Sequence, residues 1–353
     1  MNKWRTERLE EIIHVNPAVK LTKGEVYPFI DIDKVSPKLR SVTNEEEKVY
    51  DGQSCSKFCN GDTVFSRITP CLENRKIAKV SIDGQAAFGS TEFYIFRAKD
   101  GKSDEDFVYY LTSSDAVVLP AINSMTGASG RQRADRRFIE RTKLNVPDLP
   151  TQKRIADILS TYDNLIENNN RRIAVLEKAA QELYKEWFVR FRFPGYETAE
   201  FVKDKPRSWM VGKSTELERP IHWKFDTLSE LGEFKRGKNI TATQMVDGLI
   251  PVVSAGLEPA GYHNVANVYS ESITISASGA NAGYLLYHLD DIWAADCSYY
   301  QNDNLWFVYN TLKFLQPVIS NMQVGAAQPH VYPKNINKLN IIIPDKKDRK
   351  SVV

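Results

Sequence analysis

Residues 151–191 read TQKRIADILSTYDNLIENNNRRIAVLEKAAQELYKEWFVRF and carry a seven-residue apolar repeat. With Ile155 at heptad position a, the a series is Ile155, Tyr162, Asn169, Leu176 and Leu183. The d series is Leu159, Ile166, Ile173, Ala180 and Trp187. Pro150 precedes this stretch and Pro194-Gly195 follows it, and both are typical of helix boundaries. The repeat therefore predicts one long helix with a coiled-coil seam.

The length of this helix indicates that it is a connector. At 1.5 Å per residue it would extend over roughly 60 Å, which is longer than a domain core requires. An amphipathic helix of that length must bury its apolar stripe against another helix, and Asn169 at an a position would set the register and the number of partners. The alternative is an ordinary long helix in a domain core.

The sequences that flank the helix resemble each other, which predicts a duplicated domain. Residues 143–148 (KLNVPD) correspond to residues 340–345 (NIIIPD), and Gly127-Ala128 corresponds to Gly325-Ala326. Trp4-x4-Leu9 corresponds to Trp223-x4-Leu228. Because these matches occur in the same order, we expect two copies of one domain. Aligning the prolines also predicts that a second long helix starts within residues 347–353.

Each copy contains short apolar runs between turn residues. We predict strands at residues 63–65, 93–96, 272–275 and 305–308, and helices at residues 105–113 and 310–320. The expected fold class is α+β, with two similar globules joined by a long coiled-coil helix. The expected boundaries are 1–150 for the first globule, 151–193 for the helix, 194–222 for a linker, 223–346 for the second globule and 347–353 for the start of the second helix.

Composition restricts the class of protein. The net charge is +2, from 47 Lys and Arg against 45 Asp and Glu, so a nucleic-acid binder would have to gather its positive charge on one face. No apolar run approaches the ~18 residues of a membrane span, and the first residues lack the apolar core of a secretory signal. The four cysteines, of which Cys55, Cys59 and Cys71 are close in sequence, lack a convincing zinc spacing and are expected to be reduced. We therefore expect a cytoplasmic protein.

The sequence lacks the usual marks of an active site. It contains no G-x-G-x-x-G and no G-x-x-x-x-G-K-[ST] motif for binding phosphates. The five histidines form no pair with metal-ligand spacing. Pro147-Asp148 and Pro344-Asp345 are not followed by the acid-x-Lys pair with which a restriction-type nuclease holds magnesium. We therefore predict a non-catalytic chain that binds no metal or cofactor.

Residues suited to DNA contact are concentrated in the first half. Residues 127–137 (GASGRQRADRR) form a glycine-rich turn that leads into arginines. Glycines allow backbone amides to approach phosphates, and Arg and Gln side chains suit bidentate contacts to guanine and adenine. A second basic segment surrounds residues 65–76. The candidates from both segments are Ser66, Arg67, Asn74, Arg75, Lys76, Ser129, Arg131, Gln132 and Arg133.

The second half has a different character. Residues 232–343 contain six Lys and Arg and eight Asp and Glu, so their net charge is 6 − 8 = −2. Such a domain could read bases through amides and hydroxyls, or it could equally bind proteins. The candidates for DNA contact are Lys235, Arg236, Lys238, Ser278, Asn281, Tyr299, Gln328 and His330.

Residues 149–156 (LPTQKRIA), the long helix and its exit at residues 187–197 (WFVRFRFPGYE) resemble a type I restriction-modification specificity subunit. Residues 61–67 (GDTVFSR) resemble the strand-and-loop segment of that family, and the resemblance covers nearly the whole chain. It implies that the globules are two target-recognition domains, each of which reads one half of an interrupted target in double-stranded DNA. The helix would set the gap between the halves and serve as the docking surface for partner subunits.

The resemblance also implies partners. Two adenine methyltransferase subunits and a translocating restriction subunit would assemble on this non-catalytic chain, and S-adenosylmethionine, ATP and magnesium would bind to those partners. The family pairs its central helix with a C-terminal helix, which would start here near Arg349, whereas the sequence ends at Val353. We therefore expect a truncated second helix and self-association through the unpaired apolar stripe. The alternative is a non-catalytic coiled-coil scaffold whose globules bind proteins.

Overall fold

A computed structural model describes residues 4–43, 46–84, 86–204, 217–325 and 328–350 of the chain. The chain divides into two compact units, Met1–Arg172 and Ile173–Val353, and the boundary lies inside the long helix. Residues 205–216 of the predicted linker, Ala326 of the repeated Gly-Ala pair and residues 351–353 of the predicted second helix lie outside the described residues.

The first unit combines strands with short helices. Its strands are β1 (Arg5–Arg8), β2 (Ile13–Val15), β3 (Val26–Ile30), β4 (Ser41–Val42), β5 (Glu46–Val49), β6 (Ser56–Cys59), β7 (Thr63–Ser66), β8 (Ile77–Val80), β9 (Ala86–Gly89), β10 (Phe93–Ala98) and β11 (Lys143–Val146). Its helices are α1 (Leu9–Ile12), α2 (Glu105–Ser113), α3 (Asp115–Asn123), α4 (Arg136–Arg141) and the beginning of α5 (Leu149–Tyr184). The strands predicted at residues 63–65 and 93–96 and the helix predicted at residues 105–113 are confirmed.

Strand pairing in the first unit places β10 between β2 and β7 in a sheet with the order β2-β10-β7-β8-β4. A second sheet has the order β5-β3-β9-β6, and β1 pairs with β11. β7 and β10 are antiparallel, with Phe93 opposite Ser66 and Phe96 opposite Thr63. Both strands are buried over most of their length because helices cover one face of their sheet and the second sheet covers the other.

The motif at the start of α5 fastens the helix to the first unit. The Gln152 side chain is almost completely buried, and its Nε2 donates to the carbonyls of Lys102 and Pro147, each at 3.0 Å. Its Oε1 accepts a hydrogen bond from Asp104 N at 3.1 Å. Ala156 is also buried in the core of this unit. The LPTQKRIA segment is therefore an anchor that sets where the helix leaves the globule.

The long helix was predicted at residues 151–193, and in the structure it spans Leu149–Tyr184. A turn of π-helix at Lys185–Val189 follows it. Between these ends the predicted seam is exposed in the described chain, with Tyr162, Ile166 and Leu176 showing 64%, 52% and 66% of their surface. The middle of the apolar stripe is therefore exposed in the described part of the chain, whereas Ile155 packs against the core of the first unit and Trp187 against that of the second.

The second unit repeats the pattern of the first. Its strands are β12 (Phe201–Asp204), β13 (Leu217–Pro220), β14 (Lys224–Thr227), β15 (Lys235–Arg236), β16 (Ile250–Val253), β17 (Gly261–His263), β18 (Ser272–Ser276), β19 (Leu285–His288), β20 (Trp293–Ala294), β21 (Cys297–Tyr300) and β22 (Asn340–Ile343). Its α-helices are the end of α5, α6 (Leu305–Phe314), α7 (Gln316–Ser320), α8 (Pro333–Asn337) and α9 (Lys346–Lys350). Short 3-10 helices lie at Tyr196–Thr198, Leu228–Leu231 and Ala242–Gln244.

The predicted strand at residues 305–308 is wrong, because these residues begin α6. The prediction rested on four consecutive apolar residues, a run that a buried helix shows as readily as a strand. Leu305, Val308, Leu312 and Leu315 are all buried and are spaced by three or four residues, which is the helical period. The helix predicted at residues 310–320 is therefore the end of α6 followed by α7. The strand predicted at residues 272–275 is confirmed within β18.

The core of the second unit contains the exit motif of the long helix. Phe188 is almost completely buried, and its ring lies 5.2 Å from that of Phe307 and 5.5 Å from that of Trp223. Tyr184 belongs to the same cluster, and Gln181 Nε2 donates to Asn310 Oδ1 on α6. The aromatic residues at the end of α5 thus serve as core of the second globule, as the LPTQKRIA segment serves the first.

The backbone confirms the predicted duplication. In the second unit the sheet order β15-β21-β18-β19 corresponds to β2-β10-β7-β8, and β14 pairs with β22 as β1 pairs with β11. Cys297 lies opposite Ser276, as Phe93 lies opposite Ser66. Leu9 N donates to Thr142 O at 3.0 Å, and Leu228 N donates to Leu339 O at 2.8 Å. Two residues with the same hydrogen bond in both units can therefore be treated as equivalent.

Candidate nucleic-acid interface

A glycine-rich loop of the first unit closes between residues 126 and 133. Thr126 N donates to Arg133 O at 3.1 Å, and Arg133 N donates to Thr126 O at 2.9 Å. Gly127 and Gly130 have φ of 126° and 78°, in the region that side chains disfavour, so the turn requires glycine at both positions. The loop thereby presents residues 128–132 on a short, closed stem.

The stem of this loop is joined to the end of β7. Thr69 N donates to Gln132 O at 3.0 Å, and Ala134 N donates to Arg67 O at 2.8 Å. The phenol of Tyr94, in the adjacent strand, donates to Ala134 O at 2.7 Å. The two basic segments found in the sequence, residues 65–76 and 127–137, therefore meet at one place on the first unit.

Glu92 lies between these segments and binds an arginine from each. Its carboxylate accepts hydrogen bonds from Arg133 Nε at 2.9 Å and Nη2 at 2.6 Å, and from Arg67 Nε at 3.3 Å. The Arg133 hydrogen bond is the main cause that lowers the pKa of the Glu92 carboxyl, and it outweighs the opposing effect of burial. Arg67 also lies over the ring of Tyr94, with 5.4 Å between the guanidinium carbon and the ring centroid. Both guanidinium groups are thus held in fixed orientations.

The predicted contact residues of the first unit fall into two groups. Ser129 and Arg131 are exposed at the tip of the loop, Gln132 is half-buried beside them, and Arg133 is exposed on the stem. These residues form one surface together with Arg67. They remain predicted DNA contacts.

The other predicted residues of the first unit lie at the end of β7 and in the turn that follows it. Ser66 is fully buried, and its hydroxyl donates to Lys76 O at 2.6 Å. Arg75 donates to Ser113 O and pairs with Asp115, and Lys76 Nζ donates to Ile32 O at 2.9 Å. Asn74 is exposed in the turn beside them. Ser66 is therefore not available at the surface, and Arg75 and Lys76 are already engaged within the unit.

The second unit contains the equivalent loop between residues 324 and 330. Val324 N donates to His330 O at 3.0 Å, and His330 N donates to Val324 O at 2.9 Å. Val331 N donates to Ala277 O at 3.0 Å, as Ala134 N donates to Arg67 O in the first unit. His330 is therefore the equivalent of Arg133. Gln328 is exposed in this loop, and the Nδ1 of His330 lies 2.8 Å from the Gln328 carbonyl.

An acid occupies the place of Glu92 in the second unit. Asp296 accepts a hydrogen bond from the buried Ser278 hydroxyl, and its Oδ1 lies 3.5 Å from Arg236 Nη2. Lys235 and Lys238 are exposed on the same segment as Arg236. Asn281 lies in the turn after Ser278. These predicted contact residues of the second unit therefore lie near Asp296 and the loop at residues 324–330.

The remaining candidate of the second unit is Tyr299. It is in β21 opposite Lys235, and its ring packs against the small buried cluster around Val253. It is half-buried and remains a predicted contact.

Sequence reasoning missed Glu92 and Asp296. The two acids immediately precede the interior strands β10 and β21, and each lies far along the chain from its partners, by 41 residues for Glu92 and Arg133. The available signal was an isolated acid before the strands FYIF and CSYY at residues 93–96 and 297–300. That signal is too common to be decisive without the strand register.

The described residues contain no group of three or more His, Cys, Asp or Glu side chains that could hold a metal ion. No helix in the described ranges is long and apolar enough to cross a membrane.

Comparison with known proteins gives one consistent result. The sequence family described as "Type I restriction modification DNA specificity domain" matches residues 1–178 and 220–352. The chain is 23% identical to the type I restriction enzyme MjaIX specificity subunit of Methanocaldococcus jannaschii over 97% of this chain and 83% of that protein. It is 33% identical to the MjaVIII specificity subunit of the same organism, over 63% of this chain and 52% of that protein.

A solved structure shows the same fold. The type I restriction-modification S subunit from M. genitalium superposes with a TM-score of 0.55 at 16% identity, over 99% of this chain and 87% of that one. This likeness confirms the α+β architecture of two similar globules and a long helix.

Proposed function

Because the chain belongs to the type I restriction-modification DNA specificity family, we propose that it recognises an interrupted, two-part target in double-stranded DNA. Each unit reads one half of the target. The observation that supports this most strongly is that the same hydrogen-bonded loop recurs at the same place in both units, at residues 126–133 and 324–330. A duplicated reading element is what a two-part target requires.

The two units attract DNA to different degrees. In the first unit Arg67, Arg131 and Arg133 gather beside the loop, and Gln132 adds an amide. Arginine and glutamine suit contacts to guanine, adenine and phosphate oxygens. In the second unit the loop carries Gln328 and His330 and the neighbouring segment carries Lys235 and Lys238. We infer that the first unit supplies more of the phosphate attraction and that the second relies more on polar contacts to bases.

The chain acts without catalytic residues of its own. Two adenine methyltransferase subunits and a restriction subunit supply methylation and cleavage, and S-adenosylmethionine, ATP and magnesium bind to those partners. The exposed stripe of α5, from Leu159 to Leu183, is the surface on which a helical partner docks, either a methyltransferase subunit or a second copy of this chain. The complex works in the cytoplasm, where its DNA target lies.

The test is a genome-wide map of N6-methyladenine in cells that express this chain with its methyltransferase subunit. A single interrupted motif is expected. The double variant Arg131→Ala/Gln132→Ala should weaken methylation and relax one half of the motif only. It should also reduce the slope of log affinity against log salt by about one, because one cation is lost.

The matched control is Arg171→Ala, which removes the same charge from an arginine of which 78% of the side chain is exposed on α5. It should leave the motif unchanged. The second unit's net charge of −2 favours the alternative, in which the globules bind proteins. The absence of both a methylated motif and salt-dependent DNA binding would support that alternative and reject the proposal.

A further inference from the structure

Each unit places one acid at the same position of the repeat. Arg67 N donates to Glu92 O at 2.9 Å in the first unit, and Ala277 N donates to Asp296 O at 3.2 Å in the second. Glu92 immediately precedes β10 and Asp296 immediately precedes β21, and the first residues of these strands, Phe93 and Cys297, are equivalent by register. Glu92 and Asp296 are therefore equivalent residues, although the sequences around them differ.

The partners of the two acids differ between the units. Glu92 binds two arginines, Arg133 on the loop stem and Arg67 at the end of β7. Asp296 binds a serine hydroxyl and lies beside Arg236, which belongs to a different strand. His330, the equivalent of Arg133, has its Nδ1 2.8 Å from the Gln328 carbonyl. The acid is thus the common element, and the side chains that it orients are specific to each unit.

A carboxylate on a surface that meets phosphates opposes DNA binding, so its presence in both units needs a reason. A carboxylate that accepts from Nε and Nη2 of one arginine fixes the plane of the guanidinium and leaves its remaining N–H groups directed outward. The Glu92 oxygens already accept four hydrogen bonds from the two arginines, which leaves them poorly suited to contact a base directly. The acid therefore acts through the side chains that it holds.

We propose that Glu92 and Asp296 are positioning residues for sequence recognition, each of which orients the side chains with which its own unit reads its half of the DNA target. This inference rests on the proposed function. It makes a prediction that general DNA binding does not make, because each acid should control the specificity of one half-site and leave the other unchanged.

The experiment uses the whole chain assembled with its methyltransferase subunit, and compares methylation at the cognate motif with methylation at sites that differ by one base. Glu92→Gln should reduce discrimination about tenfold at one or two positions of one half. Asp296→Asn should do the same in the other half. In each case the half read by the unaltered unit should keep its wild-type discrimination.

Two further variants separate positioning from folding. Arg133→Gln should relax a position that Glu92→Gln also relaxes, and the double variant should lose less discrimination than the sum of the two single variants, because Glu92 acts in part through Arg133. Glu140→Gln is the matched control. Glu140 pairs with Arg136 at 2.7 Å, and 17% of its side chain is exposed against 19% for Glu92. It should leave the motif unchanged.

The outcomes are distinct. If the wild-type complex methylates no interrupted motif, the proposed function itself is wrong. If the wild type methylates one and the acid variants leave its motif unchanged, the positioning role alone is wrong. A uniform loss of methylation with unchanged discrimination, or relaxation of the same half by both variants, would also overturn it. Partial restoration of discrimination by Glu92→Asp would support it.

Discussion

Replacing Leu159, Ile166 and Leu176 by lysine should abolish association through the long helix. These residues lie on one stripe of α5, and 40%, 52% and 66% of their surface is exposed. Complete burial of such a side chain contributes about 1.5–3 kcal/mol. Burying the surface that these three side chains still expose would therefore stabilise an association by roughly 2–5 kcal/mol per copy. Because 1.4 kcal/mol is a factor of ten, the triple variant should dissociate at least about 50-fold more readily.

The assay is sedimentation equilibrium or light scattering over a concentration series, with circular dichroism to show that the helix persists. Lysine has a good helix propensity, so the substitutions should remove apolar surface without unfolding the helix. Val175→Lys is the control, because Val175 is 67% exposed on the same helix but lies off the stripe. A wild-type chain that stays monomeric at all concentrations would refute the reasoning, and so would an equal effect of Val175→Lys.

Two further predictions concern the second unit. Phe188→Ala should destabilise this unit by about 3–5 kcal/mol, because it leaves a cavity among the rings of Tyr184, Trp223 and Phe307. Urea unfolding followed by tryptophan fluorescence should show the loss, and Phe188→Leu should recover much of it. Burial lowers the pKa of His288 to about 4. The His288 imidazole is therefore protonated near pH 6.5 in the unfolded chain but only near pH 4 in the folded state. The free energy of unfolding should fall by about 3 kcal/mol as the pH drops from 6.5 to 4. Unfolding measured across this range should show a weaker pH dependence for His288→Gln, and an unchanged one would contradict the assignment.

The fold was largely predictable where a sequence pattern is local or occurs twice in the chain. The seven-residue repeat predicted the long helix, and the paired segments around it predicted the duplication. Both are confirmed by α5 and by the matching sheets of the two units. The failure at residues 305–308 has a local cause, because four apolar residues are too few to distinguish a period of two from a period of 3.6.

The candidate site was predictable only in part. Loop residues such as Arg131 and Gln132 stood out because glycines and arginines adjoin each other in sequence. The burial of Ser66 was hidden, since a serine at the end of a strand faces solvent or core according to the register of that strand. The ion pair of Arg75 was hidden as well, since its partner Asp115 lies 40 residues further along the chain.

Two copies of an α+β domain on a long amphipathic helix can be predicted from the amino-acid sequence, because periodicity and repetition are visible in the order of the residues. Which charged groups face one another depends on how the chain folds. Glu92 meets Arg67 and Arg133 across 25 and 41 residues because strand pairing and loop closure bring them together. An ion pair depends on distances of a few ångströms, and those distances are set by the register of strands that lie far apart in the chain.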